Sequence, residues 1–134
     1  DALNCFNCVS SILYGFDKGL TRRLIIPYSF RVPLKSFEKI ISSEKAELAR
    51  ELLLPYTRIV NQILEGNEEL AQLEIFRYLY KEAMAEFMKG STYAFVISCL
   101  FLCEVECRDL TSIALAKQYN VEEVELRRRL ISLG

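Results

Sequence analysis

Three groups of residues have the types and spacing to do chemistry. Cys5-Phe6-Asn7-Cys8 has the spacing of half a zinc knuckle. A structural zinc site needs four ligands, and no second pair or His lies nearby, so an amphipathic helix with two incidental cysteines is favoured over a metal site. Cys99, Cys103 and Cys107 follow at i, i+4 and i+8, on one face of any helix that carries them. Three thiolates in so apolar a segment are costly, and buried cysteines acting as small hydrophobes are expected there. The third group is Val124, Arg127 and Arg128 with Gln118, a short apolar and basic constellation suited to a groove of DNA or to a protein.

Catalysis is poorly provisioned. The chain has no His and only three Asp, at positions 1, 17 and 109. Proton-shuttling chemistry usually wants a group titrating near neutrality. Glu, Lys, Tyr and Cys are not paired in a way that replaces it, so no enzyme and no cofactor is expected.

The formal charge of −1 excludes a global attraction to nucleic acid or anionic lipid, and any DNA contact must be local. Five cysteines without the spacing of a secreted scaffold point to a reducing, intracellular setting. No signal peptide is visible, and the absent initiator Met suggests a fragment or a processed chain.

The elements that must position these residues are helical almost throughout. With 134 residues, 51% hydrophobic, and Gly plus Pro limited to eight, the chain can build a sizeable core and resists an all-β reading. A first amphipathic segment carries Leu3, Phe6, Val9, Leu13 and Phe16 and stops around residues 15–19. Pro27 and Pro33 bracket an irregular stretch, because each holds the residue before it away from helix. Tyr28 and Phe30 within it are candidates for a partner-docking segment, and Arg22-Arg23 is a basic pair nearby. Residues 34–41 read as a short helix, and Ser43 as the N-cap of a longer one. Pro55 fits the first turn of a further helix carrying Ile59, Val60, Ile63 and Leu64. Gly66-Asn67 breaks the chain before a long periodic segment, 70–88.

Residues 93–105 are the longest apolar stretch. At 13 residues it is too short for a bilayer, which needs ~20, so no membrane span is expected and the stretch reads as a helix buried on all sides. Arg108-Asp109 reads as a polar break. Residues 110–119 and 121–133 then read as two short helices around Asn120, with Ala116 allowing close approach and Val121 plugging the corner.

Residues 55–133 resemble the C-terminal cyclin-like repeat of the general initiation factor called transcription factor B in archaea and TFIIB in eukaryotes. Pro55-Tyr56-Thr57-Arg58-Ile59-Val60-Asn61-Gln62-Ile63-Leu64 is similar to the family's opening helix, and residues 71–89 to its second. Gly90-Ser91-Thr92 before Ala94-Phe95-Val96-Ile97-Ser98-Cys99-Leu100-Phe101-Leu102 resembles the step into its buried third helix. Val121-Glu122-Glu123-Val124-Glu125-Leu126-Arg127-Arg128-Arg129-Leu130 parallels Val-Thr-Glu-Val-Thr-Ile-Arg-Asn-Arg-Tyr.

The resemblance implies an all-α, cyclin-like five-helix bundle around a buried central helix, with additional N-terminal helices and a C-terminal helix-turn-helix. It divides the chain into an N-terminal helical extension, 1–54, and a cyclin-like repeat, 55–134. It implies a transcription initiation factor contacting promoter DNA, TATA-binding protein and RNA polymerase, in the cytoplasm if archaeal and the nucleus if eukaryotic. Base contact falls on Val124 and Arg127, where Val meets a thymine methyl and Arg a guanine edge. Glu122 and Glu125 stand where the archaeal pattern has Thr and weaken attraction to phosphates. The alternative is a helical protein–protein interaction or homodimerisation module without direct DNA binding.

Overall fold

The computed structural model describes residues 1–90 and 92–133. They form eight α-helices: α1 (Ala2–Leu13), α2 (Lys18–Leu24), α3 (Leu34–Ser43), α4 (Leu48–Leu52), α5 (Thr57–Leu64), α6 (Glu68–Lys89), α7 (Thr92–Gln118) and α8 (Glu123–Arg129). A 3-10 turn, Leu54–Tyr56, precedes α5 and places Pro55 where its missing N–H is harmless. Two compact units divide the chain, Asp1–Ile75 and Phe76–Gly134, with the boundary inside α6.

The first unit holds most of the core. On α3, Phe37, Ile40 and Ile41 recur at helical spacing and are buried. On α5, Ile59, Val60 and Ile63 do the same. Helix α1 packs against α5, α2 and α3, sinking Cys5, Cys8 and Val9 completely. Each such apolar side chain contributes about 1.5–3 kcal/mol on burial. Asp17 caps α2, its carboxylate accepting from the backbone N–H of Gly19 and Leu20. At the close of α5, Gly66 adopts a φ of +77°, a left-handed conformation that a side chain disfavours. Tyr14, just past α1, donates its hydroxyl to Glu68 at the start of α6.

Ser43 does not open a long helix. It lies at the end of α3, where its hydroxyl donates to the Ile40 carbonyl, and Glu44 turns the chain with a φ of 55°. The helix that follows, α4, is only five residues long.

The second unit is built differently. Residues 93–105 and 110–118 lie on one continuous helix of 27 residues, α7. Arg108 and Asp109 do not break it, since Arg108 pairs with Glu104 one turn back at 2.7 Å. Thr111 and Ser112 donate to the carbonyls of Cys107 and Arg108, four residues earlier. The Gly90-Ser91-Thr92 step falls partly outside the described residues, while Gly90 itself has a φ of +66°. Between α6 and α7 the rings of Phe87 and Phe95 stack at 4.9 Å, and the Arg108 guanidinium lies 4.8 Å over Phe76.

Among the described residues no cyclin-like five-helix bundle surrounds α7. Tyr93 is 87% exposed, Ile97 70% and Leu100 68%, so the expected central helix is open along one whole face. Apolar residues on every side permit central burial but do not supply the neighbours it requires.

Candidate interaction surface

Seen from its buried side, α7 presents Ser98, Leu102, Val105, Asp109 and Ala116. Turning half-way round, Tyr93, Val96, Leu100, Cys103, Cys107, Leu110 and Ala114 follow one another at steps of three and four, and all are exposed. That 3.5-residue repeat is the spacing by which one helix meets another along a coiled-coil seam. From Tyr93 to Ala114 the seam runs about 30 Å along the helix. Contiguous apolar surface of this kind marks a place where another molecule sits.

Two of the three C-terminal cysteines lie on this seam. Cys99 is partly covered, whereas Cys103 and Cys107 are exposed, so burial as small hydrophobes does not describe them. The Cys103 thiol is held above its ordinary pKa, first by Cys99 one turn back, then by desolvation, with Glu106 and Cys107 adding to it. Cys5 and Cys8, the candidate half-site, are sealed in the core. Burial pushes both thiols up to about 12, which leaves them protonated and inert. Among the described residues no group of three or more His, Cys, Asp or Glu is arranged to hold a metal.

The C-terminal corner turns as its residue types suggest. Asn120 has a φ of 53° and Ala116 is buried. Val121 is 41% exposed and does not plug the corner. Gln118, Val124, Arg127 and Arg128 are all exposed, the last three on a helix of seven residues. Arg127 is held by Glu123 at 2.7 Å and Arg129 by Glu125 at 2.9 Å, so two of the three guanidinium groups are already paired within α8.

Beyond α8 the chain is clamped, a feature that sequence reading missed. The buried Asp109 carboxylate accepts from the Ile131 N–H at 2.9 Å, the Ser132 N–H at 3.0 Å and the Ser132 hydroxyl at 2.6 Å. From α6, Arg77 donates to the carbonyls of Arg128 at 2.6 Å and Leu130 at 3.1 Å, satisfying acceptors that a helix end leaves open. Nothing local in the sequence signals this clamp, because Asp109 stands among Glu106, Arg108, Thr111 and Ser112 and its partners lie 22 or more residues away.

A second exposed apolar surface lies in the first unit, on the Pro-bracketed loop between α2 and α3. Its backbone is strapped to α1. The Asp1 carboxylate accepts from the N–H groups of Phe30, Arg31 and Val32 at 2.6–3.1 Å. Asn4 grips Ile26 from both sides, accepting from its N–H at 2.8 Å and donating to its carbonyl at 2.9 Å. Asn7 donates to the Leu24 carbonyl at 3.0 Å. Tyr28 and Phe30 stand out from this fixed backbone, 80% and 85% exposed.

The molecule is thus an all-α chain whose distinctive features are outward-facing apolar surfaces and internal clamps. Residues 1–129 match the model of the ATP synthase (C/AC39) subunit, and the chain belongs to that family. No curated protein and no solved structure matches it. The family is one of non-catalytic accessory subunits, and the chain is not an enzyme. Membership overturns the likeness to transcription factor B and TFIIB, and with it promoter DNA, TATA-binding protein and RNA polymerase as partners. The terminal helix-turn-helix is an αα corner closed by a clamp, in an all-α fold of the AC39 type. Among the described residues no helix is long and apolar enough to cross a membrane.

Proposed function

We propose that the chain is a structural subunit of an ATP synthase assembly, holding a neighbouring subunit along the outer seam of α7. The observation that carries this reading is the seam itself: seven consecutive apolar positions at coiled-coil spacing, all exposed, opposite the face by which α7 packs within its own unit. A helix or helical hairpin laid along it would remove that surface from water and interlock side chains in the knobs-into-holes manner. The five free cysteines support a reducing, intracellular working environment.

Cys103 and Cys107 serve as native reporters of this surface. Maleimide labelling of the isolated chain is expected to modify both, and the same treatment of the assembled complex to leave both protected. Equal labelling in the two states would remove the seam from the interface. Protection already present in the isolated chain, with a dimer mass by light scattering, would assign the seam to a second copy instead.

A further inference from the structure

We propose that the loop between α2 and α3, with the helix ends that flank it, seats the chain on an anionic lipid surface. The inference is independent of the α7 seam and rests on three observations.

The first is local charge. Residues 20–39 carry five basic side chains and one acidic, a net of +4 in a chain whose total is −1. The one acid within that span, Glu38, is engaged by Arg22 at 3.1 Å, and the Asp1 carboxylate bound to the loop backbone lowers the local balance from +4 to about +3. Arg23 is exposed and lies in no ion pair among the described residues. A whole-chain charge near zero hides this patch, because the compensating acids lie elsewhere in the sequence.

The second is the kind of apolar surface. Leu24, Ile26, Tyr28 and Phe30 are alternate residues and all are exposed, the last two almost fully. Convex, isolated rings of this sort fit a fluid interface that closes around them. Aromatic side chains mixed with Arg and Lys match the chemistry of the headgroup region, where ring and cation are each solvated at their own depth. The Arg31 guanidinium lies 5.9 Å over the Phe30 ring, bringing one cation to the apolar tip.

The third is preorganisation. Asp1 and Asn4 fix the loop backbone through hydrogen bonds to Ile26, Phe30, Arg31 and Val32, so inserting the tip requires little further ordering. Stable attachment to a bilayer takes two signals, and apolar insertion plus a basic patch supplies both. An acidic protein would be attracted by the same cations, but it gives no reason for two rings to project without a concave surround.

The test is co-sedimentation of the full chain with vesicles of phosphatidylcholine alone and with vesicles containing about one-third phosphatidylserine. Binding to the anionic vesicles only, weakened by salt, is expected. The double substitution Tyr28→Ser with Phe30→Ser should lower that partition roughly tenfold. Arg23→Gln should lower it about fivefold. These side chains lie outside the core, and circular dichroism checks that the helices persist. Equal binding to both vesicle types, no binding, or a double variant that partitions like the parent would each overturn the proposal. So would Tyr93→Ser with Leu100→Ser abolishing binding while the loop variants retain it. Capture on immobilised polyglutamate without vesicle binding would transfer the surface to an acidic protein.

Discussion

The two units bury their apolar residues by different logics. In Asp1–Ile75, short helices carry one apolar stripe each, and those of α1, α3 and α5 find neighbours: Cys5, Val9, Phe37, Ile40, Val60 and Ile63 are all buried. In Phe76–Gly134, a long helix is apolar on nearly every side, yet among the described residues only Leu102, Val105, Ala116, Leu130 and Ile131 join the buried hydrophobic set. The richer hydrophobic sequence has the thinner core. What holds its C-terminal end is polar, the Asp109 carboxylate and the Arg77 guanidinium gripping backbone. Mean hydropathy along a segment therefore says little about where a core forms, and the number of elements available to cover each stripe decides it.

The sharpest way to break this comparison is to truncate one anchor in each unit. Phe37→Ala leaves a cavity among fully buried neighbours and should cost about 3–5 kcal/mol in a urea titration. Asp109→Ala strips the acceptor from two backbone N–H groups and the Ser132 hydroxyl, and should cost about 1.5–3 kcal/mol. Its signature is local: limited proteolysis should trim residues 130–133 while the first unit stays intact. Equal losses, or a cleavage pattern spread over both units, would mean that the units do not hold themselves together by different means.

Alkaline pH sharpens the same contrast. Cys5 and Cys8 are raised in the fold from the ordinary 9.0 to about 12, chiefly by burial. A thiol with a raised folded pKa keeps its full contribution below the unfolded value and loses it as pH climbs towards the folded one. Stability of the first unit should therefore fall between pH 9 and 12, by roughly 1 kcal/mol per thiol at pH 10. Replacing both cysteines with Ala should flatten that decline in a pH series of denaturant melts. An unchanged slope would show that the thiols are not what titrates.

Much of the first unit was legible because its signals are local. The spacing of residues 37, 40 and 41, the two prolines around the loop, Pro55 and Gly66 each act within a few residues of where they stand. The straps made by Asp1, Asn4 and Asp109 were not legible, since each reaches 22 or more residues along the chain. The likeness to an initiation factor failed for a specific reason. Glu123 and Glu125 followed four residues later by Arg127 and Arg129 is a helix-stabilising order, acids near the N-terminus and bases near the C-terminus, with ion pairs between them. A short helix acquires that order to persist in water, so it carries little information about DNA. The exposed face of α7 was invisible because a sequence shows which sides of a helix are apolar and not which side has a neighbour.

Leu100 gives the smallest effect on stability and the strongest discrimination. It is a leucine in the middle of the most apolar segment of the chain, where composition alone predicts a loss on truncation as large as that at Phe37. Its side chain is 68% exposed, so Leu100→Ser removes surface that water already reaches. The expected change in a urea titration lies within about 0.5 kcal/mol, the range of surface substitutions. The same substitution should weaken retention of the chain in the assembled complex, because the seam loses one of its largest apolar side chains. Stability lost and assembly unchanged would place Leu100 in a core, whereas stability kept and assembly lost is what an interlocking seam requires.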